Sequence, residues 1–87
     1  MKNTTDYFRN EVLRKRPYLT IEQCRLVLSS PDNRSIQLDG RIRFWKKLEY
    51  YEGRTMRVVT LEDGKTIHNA FLDRSYKGDE KNETKLL

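Results

Sequence analysis

The sequence predicts an α+β domain: two N-terminal helices packed on a four-stranded antiparallel β-meander. Three observations predict it. Two capped segments with helical apolar spacing fill the first thirty residues. From Arg34 onward the apolar positions alternate with polar ones. Acidic-glycine pairs at Asp39-Gly40, Glu52-Gly53 and Asp63-Gly64 then divide that second part at hairpin-like intervals.

Thr5 is placed to cap the first helix, with Asp6 at its positive end. Phe8, Val12 and Leu13 fall at helical spacing and form an inward stripe. Arg14, Lys15 and Arg16 suit the negative end of the helix dipole, and Pro17 stops the helix. Thr20-Ile21-Glu22-Gln23 reads as a capping box for the second helix. Ile21, Cys24, Val27 and Leu28 make its apolar face, and Ser29-Ser30-Pro31-Asp32-Asn33 ends it with turn formers.

In the first hairpin, a three-residue loop of Leu38, Asp39 and Gly40 sets Ile36 opposite Ile42. That register gives Gly40 the left-handed position of a bulge turn, where a side chain is least tolerated. Tyr50-Tyr51-Glu52-Gly53 supplies the next turn, followed by a third strand over 54–61. Glu62-Asp63-Gly64 repeats the three-residue loop, and a fourth strand runs over 65–72. This register sets Val59 opposite Ile67 and Val58 opposite His68, with both faces of the hairpin mixed in polarity. Residues 1–76 are expected to form one compact domain, and 77–87, which lack an apolar period, a disordered tail.

The chain has 87 residues, too few for a two-domain enzyme. Charged residues reach 36% against a usual ~25%, so the core is small and the surface heavily solvated. Eighteen Lys and Arg against 13 Asp and Glu give a net charge of +5, which favours an anionic partner such as RNA or an acidic protein. Cys24 is the only cysteine, so an internal disulfide and a thiolate metal cluster are both excluded, and a small buried hydrophobe is expected there. No signal-like apolar run follows Met1, and no stretch approaches the ~18 apolar residues of a membrane span. The expected location is the cytoplasm, with no membrane partner. A phosphate-binding glycine loop, paired metal ligands and a nucleophile elbow are all missing from the sequence. No metal and no cofactor are expected.

Three groups of residues could carry function. Strand alternation places Arg41, Arg43, Trp45 and Lys47 on one face, with Ser35 and Gln37 beside them. Cations around an aromatic ring suit a nucleic-acid backbone and an unstacked base. The same pattern also fits a solvated outer face on which Trp45 packs against its neighbours. His68, the only histidine, could serve as general acid or base, or could fill a structural hydrogen bond. Asp73-Arg74-Ser75-Tyr76 follows the last strand, where Arg74 could stabilise phosphorane charge and Tyr76 move a proton. If the face carrying Arg57 is buried, that guanidinium needs a carboxylate, from Asp73 or Glu62.

The segments 16–31, 39–45 and 57–71, spread over residues 16–74, resemble a family of small bacterial domains related to BrnT-type toxins, in the RelE/ParE toxin-like group. The carrying motif is Arg16 before the capped helix Thr20-Ile21-Glu22-Gln23, followed by Val27-Leu28 and Pro31. The resemblance implies a toxin-like nucleic-acid-binding domain of a toxin–antitoxin pair. It further implies a metal-independent endoribonuclease, with Arg43, Arg57 and His68 on the strands where its polar groups would lie. A cognate antitoxin would then be a partner. Phe8 stands where the related domains often carry a histidine. That departure, and the lack of a recognisable acid–base pair, keep a non-catalytic protein-interaction module open as the alternative.

Overall fold

The computed structural model describes residues 3–76. The element order is α1 (6–15), α2 (Ile21–Ser29), β1 (Asn33–Ile36), β2 (Ile42–Leu48), β3 (Arg54–Thr60) and β4 (Ile67–Leu72). The strands form one antiparallel sheet in the order β1-β2-β3-β4, with α2 packed on β2 and β3 and α1 against β4. This is the expected α+β architecture. The expected tail over 77–87 lies outside the described residues.

Both threonine caps form as the sequence predicts, the second as the Thr20 half of the expected capping box. The Thr5 hydroxyl accepts from the Phe8 amide at 3.1 Å, and the Thr20 hydroxyl accepts from the Gln23 amide at 3.1 Å. The middle of α1, Phe8–Val12, is wound as a π-helix, closed by the Leu13 amide on the Phe8 carbonyl. This wider turn still sends Phe8 and Val12 into the core. There they meet Cys24 and Val27 from α2, and Phe44, Leu48, Met56, Val58 and Ile67 from the sheet. Phe8 is fully buried, so the position at which the resembled family often carries a histidine belongs here to the hydrophobic core. Burial also pushes the Cys24 thiol up to about 12, leaving it inert and apolar.

The first hairpin has the expected register: Ile36 pairs with Ile42, and Gly40 takes a φ of +93°. Tyr50-Tyr51-Glu52-Gly53 makes the expected turn through a short 3-10 segment, Glu49–Tyr51. The last hairpin departs from expectation. Val59 pairs with Asn69 and Val58 with Ala70, two residues beyond the predicted partners. Two local causes add up. The Asp63 carboxylate accepts from the amides of Lys65 and Thr66 and from the Thr66 hydroxyl, drawing Lys65 into the turn. The N-terminal segment then docks on Ile67: its amide donates to the Asn3 carbonyl, and its carbonyl accepts from the Thr5 amide. Ile67 thus spends its backbone groups outward, and the β3–β4 ladder shifts at Val59/Thr60.

Among the described residues, no helix is long and apolar enough to cross a membrane.

Candidate nucleic-acid interface

The helices cover the face bearing Ile42, Phe44, Leu48, Met56, Val58 and Ala70. Alternation therefore sends Arg43, Trp45, Arg57, Val59, Asn69 and Phe71 to the opposite, outer face. Register aligns them in rows across the sheet. Trp45 pairs with Arg57 and Arg57 with Phe71, while Ser35, Arg43, Val59 and Asn69 form the neighbouring row.

Cations and rings alternate across this face. The Arg43 guanidinium lies 5.5 Å from the Trp45 ring centroid, with its Nε donating to Ser35 Oγ at 3.1 Å. Arg57 sits 5.5 Å from Trp45 on one side and 4.9 Å from Phe71 on the other. Arg16 reaches over from the end of α1 to within 5.8 Å of Phe71 and donates to Asn69 Oδ1 at 3.4 Å. Guanidinium groups are weakly hydrated and planar, so ring faces hold them well, and the π-electrons supply part of the lost solvation.

Asp73 ties the row together. Its Oδ2 accepts from Trp45 Nε1 at 3.0 Å and from Arg57 Nε and Nη2 at 3.0 and 2.8 Å. Its Oδ1 accepts from the Ser75 amide and hydroxyl. Burial works to raise its pKa, but the hydrogen bonds from Ser75, Trp45 and Arg57 prevail and hold it at about 2. Asp73 is thus the carboxylate that Arg57 needs, and it cancels the Arg57 charge. The remaining positive charge on and around this face comes from Arg16, Arg43, Arg41, Lys47, Arg54 and Arg74. Arg41 also lies 3.7 Å from the Asp39 carboxylate, an exposed ion pair worth little in water.

Of the predicted binding residues, Arg43 and Trp45 meet on this face, with one change in how Trp45 is presented. Trp45 is only 8% exposed. Tyr76 stacks on it, with ring centroids 5.1 Å apart and planes 16° apart. The Asn33 amide donates to the Tyr76 hydroxyl at 3.2 Å.

The residues proposed for catalysis are not brought together. His68 lies three residues before Phe71, the partner of Arg57, or roughly 10 Å along β4. Its Nδ1 is 3.1 Å from the Thr5 hydroxyl, and its ring stacks on Tyr7 at 4.9 Å. Partial burial, then the nearby Arg41 charge, push its pKa below the usual 6.5, so the imidazole is neutral at pH 7. Arg74 is exposed on the turn after β4, beside a cleft of about 340 Å³ that Arg54, Asp73 and Tyr76 also line. Among the described residues, no group of three or more His, Cys, Asp or Glu side chains converges as a metal site.

Sequence reasoning missed Arg16, Phe71, Asn33 and Asn69 as members of this face. Arg16 stood out only for its helix-end charge and its place before the capped helix, neither of which points to the sheet. A two-residue slip preserves the face, so Phe71 falls on the Arg57 side in either register, but the predicted ladder sets Asn69 rather than Phe71 opposite Arg57. Comparisons of the chain with protein families, with curated proteins and with solved structures find no match.

Proposed function

We propose that the outer sheet face binds single-stranded RNA in the cytoplasm, as the resemblance to RelE/ParE-like toxins implies. One observation carries this reading: arginines from α1 and β2 converge on a single sheet face lined by aromatic rings, and further basic groups surround it. The Asp73 carboxylate on that face is already consumed by Arg57, so it does not repel a phosphate chain. Arg43 and Lys47 on β2, and Arg74 after β4, would neutralise phosphates.

The endoribonuclease step would need His68 as its proton-transfer group, with the Arg41 charge acting on it. The separation of His68 from Arg57 and Arg74 favours binding over cleavage. An amide chemical-shift titration of the labelled protein with a short single-stranded RNA tests the proposal. Shifts should concentrate on Ser35, Arg43, Trp45, Asn69 and Phe71, and should weaken as salt rises. Shifts absent from this face at low salt would remove the proposal. RNA recovered intact from the same sample would leave binding as the whole function.

A further inference from the structure

The covered state of Trp45 defines a more specific site, resting on the RNA reading above. We propose that the Tyr76 ring is a placeholder for an unpaired nucleobase, and that RNA binds by displacing it from the Trp45 face.

Four observations support the exchange. Tyr76 lies nearly parallel to Trp45 at 5.1 Å, the arrangement a stacked base would adopt. Its polar tether is weak and peripheral: the Asn33 Nδ2–H donates to the Tyr76 hydroxyl at 3.2 Å, and Tyr76 itself is only partly buried. The floor beneath it is fixed independently of Tyr76, because the Trp45 Nε1–H is held by Asp73, which Arg57 and Ser75 hold in turn. Finally, Arg43 and Arg57 flank the indole, each at 5.5 Å. Removing the phenol ring would therefore uncover an aromatic floor with two guanidiniums already against it. Arg43 would stand ready for the phosphate of the same nucleotide. The backbone has room for the movement: Arg74 and Ser75 between Asp73 and Tyr76 are both exposed. A base entering this site replaces one aromatic stack by another, so the ring already present lowers the net gain in the intact protein.

Trp45 is the only tryptophan, so its emission reports on this site alone. The experiment compares the 87-residue chain with Tyr76→Ala, Tyr76→Phe and Asn33→Ala. Each is titrated with an end-labelled six-nucleotide RNA and with its abasic counterpart, by fluorescence anisotropy and by Trp45 emission. The Tyr76→Ala variant should bind the RNA about tenfold more tightly, with quenching of Trp45 that the abasic strand does not produce. Tyr76→Phe keeps the stack but removes the hydroxyl that Asn33 tethers, so it should show the same small gain as Asn33→Ala. Asn33→Ala releases the tether without touching the floor. It should show a smaller gain, and it carries the test should Tyr76→Ala fail to fold. Equal affinity in all four proteins, with salt-dependent anisotropy but unmoved Trp45 emission, would overturn the placeholder and leave the cationic face standing. No binding by any of them would overturn both.

Discussion

Asp73 sits at the point where the outer face is most constrained. Its side chain is 4% exposed and answers Trp45, Arg57 and Ser75 together. The half-buried Arg57 guanidinium, deprived of its carboxylate, keeps part of its desolvation cost and loses its attraction. Asp73→Ala should therefore lower stability by about 3 kcal/mol in urea unfolding at pH 7. The pH dependence carries an independent signature. The folded carboxyl, at about 2, lies below its ordinary 3.8. Its contribution is complete above pH 3.8 and is lost as pH falls through about 2. The wild-type protein should lose about 2 kcal/mol from this group on that limb. The variant should lack this limb, and an unchanged acid profile would remove the hub role. The sequence held the ingredients of this hub without its geometry. Arg57 between apolar neighbours signalled a need for a carboxylate, and Asp73 was one of two candidates. No local spacing announced that the same carboxylate also takes the Trp45 Nε1–H, since that contact spans 28 positions.

Elements were legible where their signals are local. Thr5 and Thr20 cap as their positions suggest, and Gly40 takes the positive φ that a three-residue loop requires. The β3–β4 register was not legible, because the Asp63 side chain and the docked N-terminal segment reset it after the turn. That docking gives His68 its part. At the ladder irregularity it meets Thr5, the residue that caps α1, and so joins β4 to the positive end of the helix. A neutral imidazole suits that end, and protonation opposes it. With the folded pKa below 6.5, His68 contributes stability that is fully present above pH 6.5. That stability is lost as pH falls through the lower, folded value. His68 is the only histidine, so few other groups titrate there. Chemical denaturation between pH 7.5 and 5 should show wild type losing stability and His68→Gln staying nearly flat. A parallel decline in both proteins would place the titration elsewhere and sever this link between strand and helix.

At the scale of the whole molecule, the sheet separates two kinds of surface. One face is sealed by the helices, with Val27 and Cys24 of α2 against the strands. The other presents Arg43, Arg57 and Arg16 among rings. The net charge of +5 is thus less informative than its placement, because a charge count does not distinguish a scattered excess from a face. Salt dependence makes that distinction. Each phosphate contact with a single strand steepens the dependence of log affinity on log salt by about 0.7. Arg43→Ala should therefore weaken RNA binding and flatten that slope by about 0.7. Arg43→Lys keeps a cation and should restore most of the slope, though it gives up the guanidinium geometry toward Ser35 and Trp45. Arg25, exposed on α2, lies on the helix side of the sheet, and Arg25→Ala changes net charge by the same amount. Its slope should match wild type. Equal flattening by Arg25→Ala and Arg43→Ala would mean that RNA senses only the total charge, and that the outer face has no special standing. Flattening confined to Arg43→Ala would locate the phosphate chain over the outer face beside Arg43, Trp45 and Arg57, on the side of the sheet the helices leave open.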